Sequence, residues 1–129
     1  MINFIKSRIA SFGHAFRGWG YVIQNEKNAW IHAVATILVV LMSTWLMIPL
    51  HDWAILILII AMVWAAEFFN TSIEAVVDLA SPTHHPLAKV GKDVGAAAVL
   101  ISACAAVLIG LIILGPPLLS RLTPYFLRH

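Results

Sequence analysis

Four polar side chains interrupt an apolar stretch, AAEFFNTSIEAVVDL at residues 65–79: Glu67, Asn70, Glu74 and Asp78. Steps of three, four and four residues keep them on one helical face. At about 100° per residue the four fall within an arc of roughly 80°, and Phe68, Phe69, Ile73, Val76 and Val77 cover much of the rest. Carboxylates at membrane depth are costly and mark a functional site by default. A single acid would fit a polar seam held by hydrogen bonds between helices; a stripe of acids with an amide argues against that. Oxygen donors without nearby cysteine suit a hard cation, Mg²⁺ above all, which is held by one or two carboxylates together with phosphate oxygens. A carboxylate among apolar side chains can also serve as a general base.

The segment SPTHHPLAKVGKDVG, residues 81–95, supplies the opposite charge. His84 and His85 are expected in a turn and Lys89 and Lys92 close to the acids. Lys92 and Asp93 are expected to open the next helix, whose N-terminal end favours phosphate. A lysine there can neutralise charge developing on a transferred phosphoryl group. Gly91 and Gly95 form a small-xxx-small pair, read as helix packing rather than nucleotide binding. Glu26 precedes the first apolar run on the same side as Glu74 and can complete a metal site. The sequence has no GxxxxGK[ST] loop and no kinase-type glycine-rich loop, so a phosphotransferase here would not use a usual soluble nucleotide fold.

The elements that must position these residues follow from composition. Of 129 residues, 61% are hydrophobic and 11% charged, with a mean hydropathy of +0.92. Soluble domains run at about 45–50% apolar and about 25% charged. The expected fold is an all-α membrane protein of one domain, residues 1–129. Its membrane helices are expected at 30–50, 53–79 and 94–114, with His51 and Asp52 as the short turn between the first two. Only residues 53–66 of the second run are free of polar groups, about 20 Å of helix. The hydrocarbon core is about 30 Å thick, so that helix must continue through the acidic stripe.

Residues 1–29 repeat Phe4, Ile5, Ile9, Phe12, Phe16, Trp19 and Ile23 at helical spacing, with Lys6, Arg8, Arg17 and Lys27 between them. This reads as an amphipathic helix lying on the membrane surface. The basic residues before the first span, and Lys89 and Lys92 after the second, place the N-terminus and the 80–93 loop in the cytoplasm, with Arg121 and Arg128 on the other side. The net charge of +2 reflects those flanks rather than nucleic-acid binding. Cys104 is the single cysteine, so no intrachain disulfide forms. The N-terminus has neither a continuous apolar core nor a small-residue cleavage site, and no secretory signal is read.

The run from Glu67 through Asn70, Glu74 and Asp78, then HPLAK and KDVGAAAVL, resembles the bacterial integral-membrane diacylglycerol kinase family, closest to its undecaprenol kinase-like members. SFGHAFRG and NEKNAWIH fit the same pattern, and the likeness covers nearly the whole chain. The resemblance implies a homotrimer of three-span subunits, each with a surface helix, in the bacterial cytoplasmic membrane. It implies transfer of the γ-phosphate of MgATP to a lipid hydroxyl at the cytoplasmic face, with Glu67 as base and Asn70 positioning groups beside it. Glu26 and Glu74 would hold metal. His14, Glu26, Glu74, Asp78, Thr83, His84, His85, Lys92 and Asp93 would contact ATP. Glu67, His32 and Ala96 would meet the lipid. His32 stands where diacylglycerol-specific members carry an acid and Ala96 where they carry a hydroxyl, and SPTHHPLAK matches the undecaprenol type, which favours a polyprenol over diacylglycerol. The rival readings are a transporter subunit that relays protons through its acids and a purely structural trimer. A relay would want polar groups between residues 53 and 66, which offer none.

Overall fold

In a computed structural model the chain forms four helices: α1 (Ile2–Asn25), α2 (Lys27–Leu46), α3 (Leu50–Ala80) and α4 (Pro86–Phe126). The structure describes residues 1–83 and 85–126, without the side chains of residues 2–5, 7 and 124–126. His84, Arg128 and the side chains of Phe4 and Ile5 therefore lie outside the described residues. Helices α2, α3 and α4 are each long and apolar enough to cross a membrane.

Their bounds differ from the sequence expectation for local reasons. The first span runs from Lys27 to Leu46 rather than 30–50, and the reversal falls at residues 47–49 rather than at His51 and Asp52. Met47 takes a left-handed conformation, φ 52° and ψ 48°. Its N–H donates to the Thr44 carbonyl and that of Ile48 to the Ser43 carbonyl, which satisfies the last free acceptors of α2. Pro49 then caps α3. His51 and Asp52 lie in the first turn of α3, 3.1 Å apart, where a carboxylate meets the positive end of the helix dipole.

Helix α4 starts at Pro86, not at residue 94. Its first turns are polar, so hydropathy does not register them. Proline suits the first helical position, where its missing N–H is not needed, and the Leu87 N–H donates to His85 Nδ1 at 3.2 Å. Lys92 and Asp93 consequently sit in the second turn of α4 rather than at its opening. At its other end α4 continues through Pro116 and Pro117. Each proline removes a backbone donor, and beyond them Ser120 Oγ donates to the Pro117 carbonyl and Thr123 Oγ1 to that of Leu119.

Helix α3 makes its most extensive contact with α4. Between helices in lipid, close approach of backbones does the work that water exclusion does elsewhere. Gly91 and Gly95 allow it: a Cβ at Gly91 would lie 3.6 Å from Val77, and one at Gly95 2.5 Å from Asn70 Oδ1. Two small cores flank this contact. Where α1 meets α2, Val22, Ala29 and Trp64 are buried with Phe68 against them. At the far end Leu46, Ile48, Leu56 and Leu114 close the bundle. Leu38, Leu41, Ile57, Leu58, Ile101 and Ile112 point outward, fully in keeping with a lipid-facing surface.

Candidate active site

The polar stripe of α3 is graded in burial. Glu67 is 1% exposed and Asn70 7%, Glu74 is half-buried and Asp78 is exposed. Glu67 meets α2 at His32, and its neighbours Trp64 and Phe68 on α3 belong to the aromatic stack that fastens α1. Trp19 lies with its ring centroid 4.7 Å from both Trp64 and Phe68, and Trp64 Nε1 donates to Thr36 Oγ1 at 3.2 Å. Nearby hydroxyls are occupied within α3: Thr71 Oγ1 donates to the Glu67 carbonyl and Ser72 Oγ to that of Phe68.

Glu67 itself is left incomplete. Its Oε2 has no hydrogen-bond partner, nor have His32 Nε2 and Asn70 Oδ1. Glu67 Oε2 and His32 Nε2 face each other at 3.6 Å, too far for a hydrogen bond and within ion-pair distance should the imidazole be protonated. Asn70 Nδ2 donates to Glu74 Oε1 at 2.9 Å, which ties the next acid to the same face. Glu26 stands in the extended break between α1 and α2, φ −102° and ψ 117°, and both it and Glu74 lie within electrostatic reach of Glu67.

Past Asp78 the stripe opens into a polar hollow of about 330 Å³ lined by Val77, Asp78, Ser81, Pro82, Thr83, His85, Ala88, Lys89, Lys92 and Asp93. Lys92 Nζ donates to Asp78 Oδ1 at 2.7 Å, and Lys89 pairs with Asp93. On the other side of Glu67 an apolar groove of about 430 Å³ runs between α2, α3 and α4. Its walls run from His32 to Met42 on α2, from Val63 back to Leu56 on α3, and from Ala103 to Leu118 on α4. His32 is the point at which groove and buried acid meet.

The structure thus gathers the expected residues into two neighbourhoods. Glu67, Asn70, Glu74, Glu26 and His32 form the dry one; Asp78, Thr83, His85, Lys92 and Asp93 line the wet one. His14 stands apart on α1, its Nδ1 2.7 Å from Arg17, and Ala96 is exposed on α4 outside both linings. Sequence reasoning missed Ser81 as part of the hollow, and Trp19, Trp64 and Thr36 as the contacts that tie α1, α3 and α2 together near Glu67. No spacing signals them, because they come together only through packing.

Among the described residues no three His, Cys, Asp or Glu side chains form a closed metal cage. A cage is not what Mg²⁺ needs. It takes one or two carboxylates with phosphate oxygens and water, and Glu26 and Glu74 beside Glu67 are hard oxygen donors of that kind.

Comparison with known proteins bears on this arrangement. The family model for prokaryotic diacylglycerol kinase matches residues 13–114. The chain is 39% identical to the undecaprenol kinase of Bacillus subtilis over 108 residues, 84% of this chain and 88% of that protein. It is 38% identical to the diacylglycerol kinase of Synechocystis, over 87% of this chain and 65% of that protein. To the diacylglycerol kinase of Escherichia coli K12 it is 34% identical, over 80% and 90%.

Proposed function

The chain belongs to the prokaryotic diacylglycerol kinase family of lipid kinases, and on that premise we propose that it transfers the γ-phosphate of MgATP to the hydroxyl of undecaprenol or a related polyprenol. The observation that carries this reading is the Glu67 carboxylate, buried without a hydrogen bond to Oε2 and 3.6 Å from His32, which lines an apolar groove. A lipid alcohol laid in the groove would bring its hydroxyl beside the pair of His32 Nε2 and Glu67 Oε2. Glu67 takes the hydroxyl proton; the oxygen forms its bond to the γ-phosphorus as the bond from phosphorus to the bridging β–γ oxygen breaks, and ADP leaves. Charge in this transfer spreads over the phosphoryl oxygens, so the protein's part is positioning and electrostatic stabilisation. Asn70 fixes Glu74 through its amide. Glu26 and Glu74 are the residues that would hold Mg²⁺, whose charge would offset that of the phosphates. Lys92 and Lys89 can exchange their exposed carboxylate partners for phosphate oxygens, with Asp78, Thr83, His85 and Asp93 around them.

An apolar groove of this kind suits the hydrocarbon tail of a lipid alcohol. Diacylglycerol, with two acyl chains, is the alternative. The setting that goes with this reading is a bacterial cytoplasmic membrane, with α1 on the cytoplasmic surface. Phe12 and Phe16, both exposed on α1, would enter the interface. The assembly would be a homotrimer.

The test is a lipid panel. Purified protein in mixed micelles with Mg²⁺ and γ-labelled ATP is offered undecaprenol and diacylglycerol separately, and label is counted in the organic phase. Label in undecaprenol well above diacylglycerol is expected; the reverse order would replace the polyprenol with diacylglycerol.

A further inference from the structure

We infer that Gly110 sets the width of the lipid-chain channel and thereby selects the substrate's tail; the inference deepens the polyprenol reading and rests on it. The glycines of α4 divide into two kinds. Gly91 and Gly95 are pressed against α3, where a Cβ meets Val77 or Asn70. Gly110 and Gly115 both line the groove, and a Cβ built on either meets nothing within 4 Å. Packing against another helix of the same chain therefore does not account for the missing side chains. Gly110, the nearer of the two to Glu67 along the groove, leaves open its middle, on the face that also carries Ala103 and Ala106.

The occupant is identified at the groove's head. His32 lines the groove, and the unpartnered oxygen it faces belongs to a carboxylate 99% removed from solvent. A chain lying in the groove meets there an imidazole and a carboxylate oxygen without hydrogen-bond partners, and an alcohol at its end can donate to one of them. Depth follows from register. Gly95 lies opposite Asn70, and counting 1.5 Å per residue along both helices puts Gly110 roughly 18 Å beyond the level of Glu67. A ten-carbon prenol ends short of that point, whereas a long polyprenol runs past it. An isoprenoid tail carries a methyl branch on every repeat, so it needs the full width of the channel wherever it passes. Gly110 is the first position on α4, reached before Gly115, at which that width is set by the absence of a side chain.

The test compares Gly110→Ala and Gly110→Leu with wild type, using undecaprenol and a ten-carbon prenol in the same micelles. One methylene in an apolar pocket is worth about 10- to 200-fold in discrimination. Gly110→Leu is expected to lower kcat/KM for undecaprenol at least about tenfold relative to the short prenol, with Gly110→Ala in between. Retained turnover of the short prenol shows that the variant is folded. Where the short prenol turns over too slowly to measure, the rise in thermal midpoint that undecaprenol gives wild type replaces it, and Gly110→Leu should lose that rise. An unchanged ratio, or an unchanged midpoint rise, overturns the inference. So does an equal loss on both prenols with altered particle size, the mark of a groove filled by a second copy. The polyprenol reading stands or falls separately, on the wild-type lipid panel. If diacylglycerol wins there, it takes the place of undecaprenol in the Gly110 comparison.

Discussion

Three turns of α3 separate two carboxylates that share a face and little else. Glu67 is buried and lacks a partner for Oε2; Asp78 is exposed and holds Lys92. The physics of the two positions is opposite. An exposed ion pair contributes little, because water competes for both ends and salt screens them. Such a pair can be exchanged for a phosphate at small cost. A buried carboxylate oxygen without a hydrogen bond is expensive. On the proposed function the same stripe would serve two tasks according to depth: chemistry where it is dry, exchangeable binding where it is wet.

The sharpest way to break this contrast is Glu67→Gln, which keeps the shape and removes the base. General acid–base groups contribute about 10²–10⁴-fold, and turnover should fall by that much while MgATP binding by equilibrium titration stays as in wild type. Wild-type rates would remove Glu67 from the base role. Glu74→Gln comes next. A metal-affinity loss of about 10–100-fold should appear as a matching rise in the Mg²⁺ needed for half-maximal rate. An unchanged magnesium titration would count against Glu74 as a ligand and leave it only as the partner of Asn70.

The contrast was half legible in the sequence. The 100° arithmetic alone put Glu67, Asn70, Glu74 and Asp78 on one face, because a long helix obeys its period regardless of surroundings. The roles of these residues came with the family likeness. Depth along the stripe could not be read, since burial is set by the neighbours, above all the Trp19–Trp64–Phe68 stack and His32 on α2. Helix ends were misplaced where local chemistry hides from hydropathy. Met47 adopts a left-handed turn for which glycine would have been the signal, and the first turns of α4 are polar despite being helical. Gly95 was read correctly as a packing residue, but what it packs against is a pairing of two helices that no single segment encodes.

That pairing supplies a smaller, structural test of the dry half. Asn70 sits where a Cβ on Gly95 would reach 2.5 Å from its Oδ1, so Gly95→Ala must push the amide or part the helices. Overpacking of this kind costs about 1–3 kcal/mol, read as a lowered thermal midpoint in detergent, and turnover should fall because Glu74 loses its fixed donor. Gly95→Ala combined with Asn70→Ala removes the clash. The stability loss of the pair should then be clearly less than additive, as expected for residues in direct contact. Additive losses would mean that Asn70 and Gly95 do not meet as the structure has them.

The smallest effect belongs to the wet half, and its smallness is the point. Asp78→Asn removes the acceptor of Lys92 from a pair in which the aspartate side chain is 65% exposed. If Asp78 holds Lys92 only until phosphate replaces it, the thermal midpoint should not move measurably, kcat should stay near wild type, and KM for ATP should shift by a few-fold at most. Raising the salt concentration should shrink even that shift, since screening weakens exposed charges first. A collapse in kcat would instead place Asp78 with Glu67 among the groups that act on the reacting atoms. The division of the stripe by depth would then fail, for a carboxylate that water can reach would be doing what the structure reserves for the buried one.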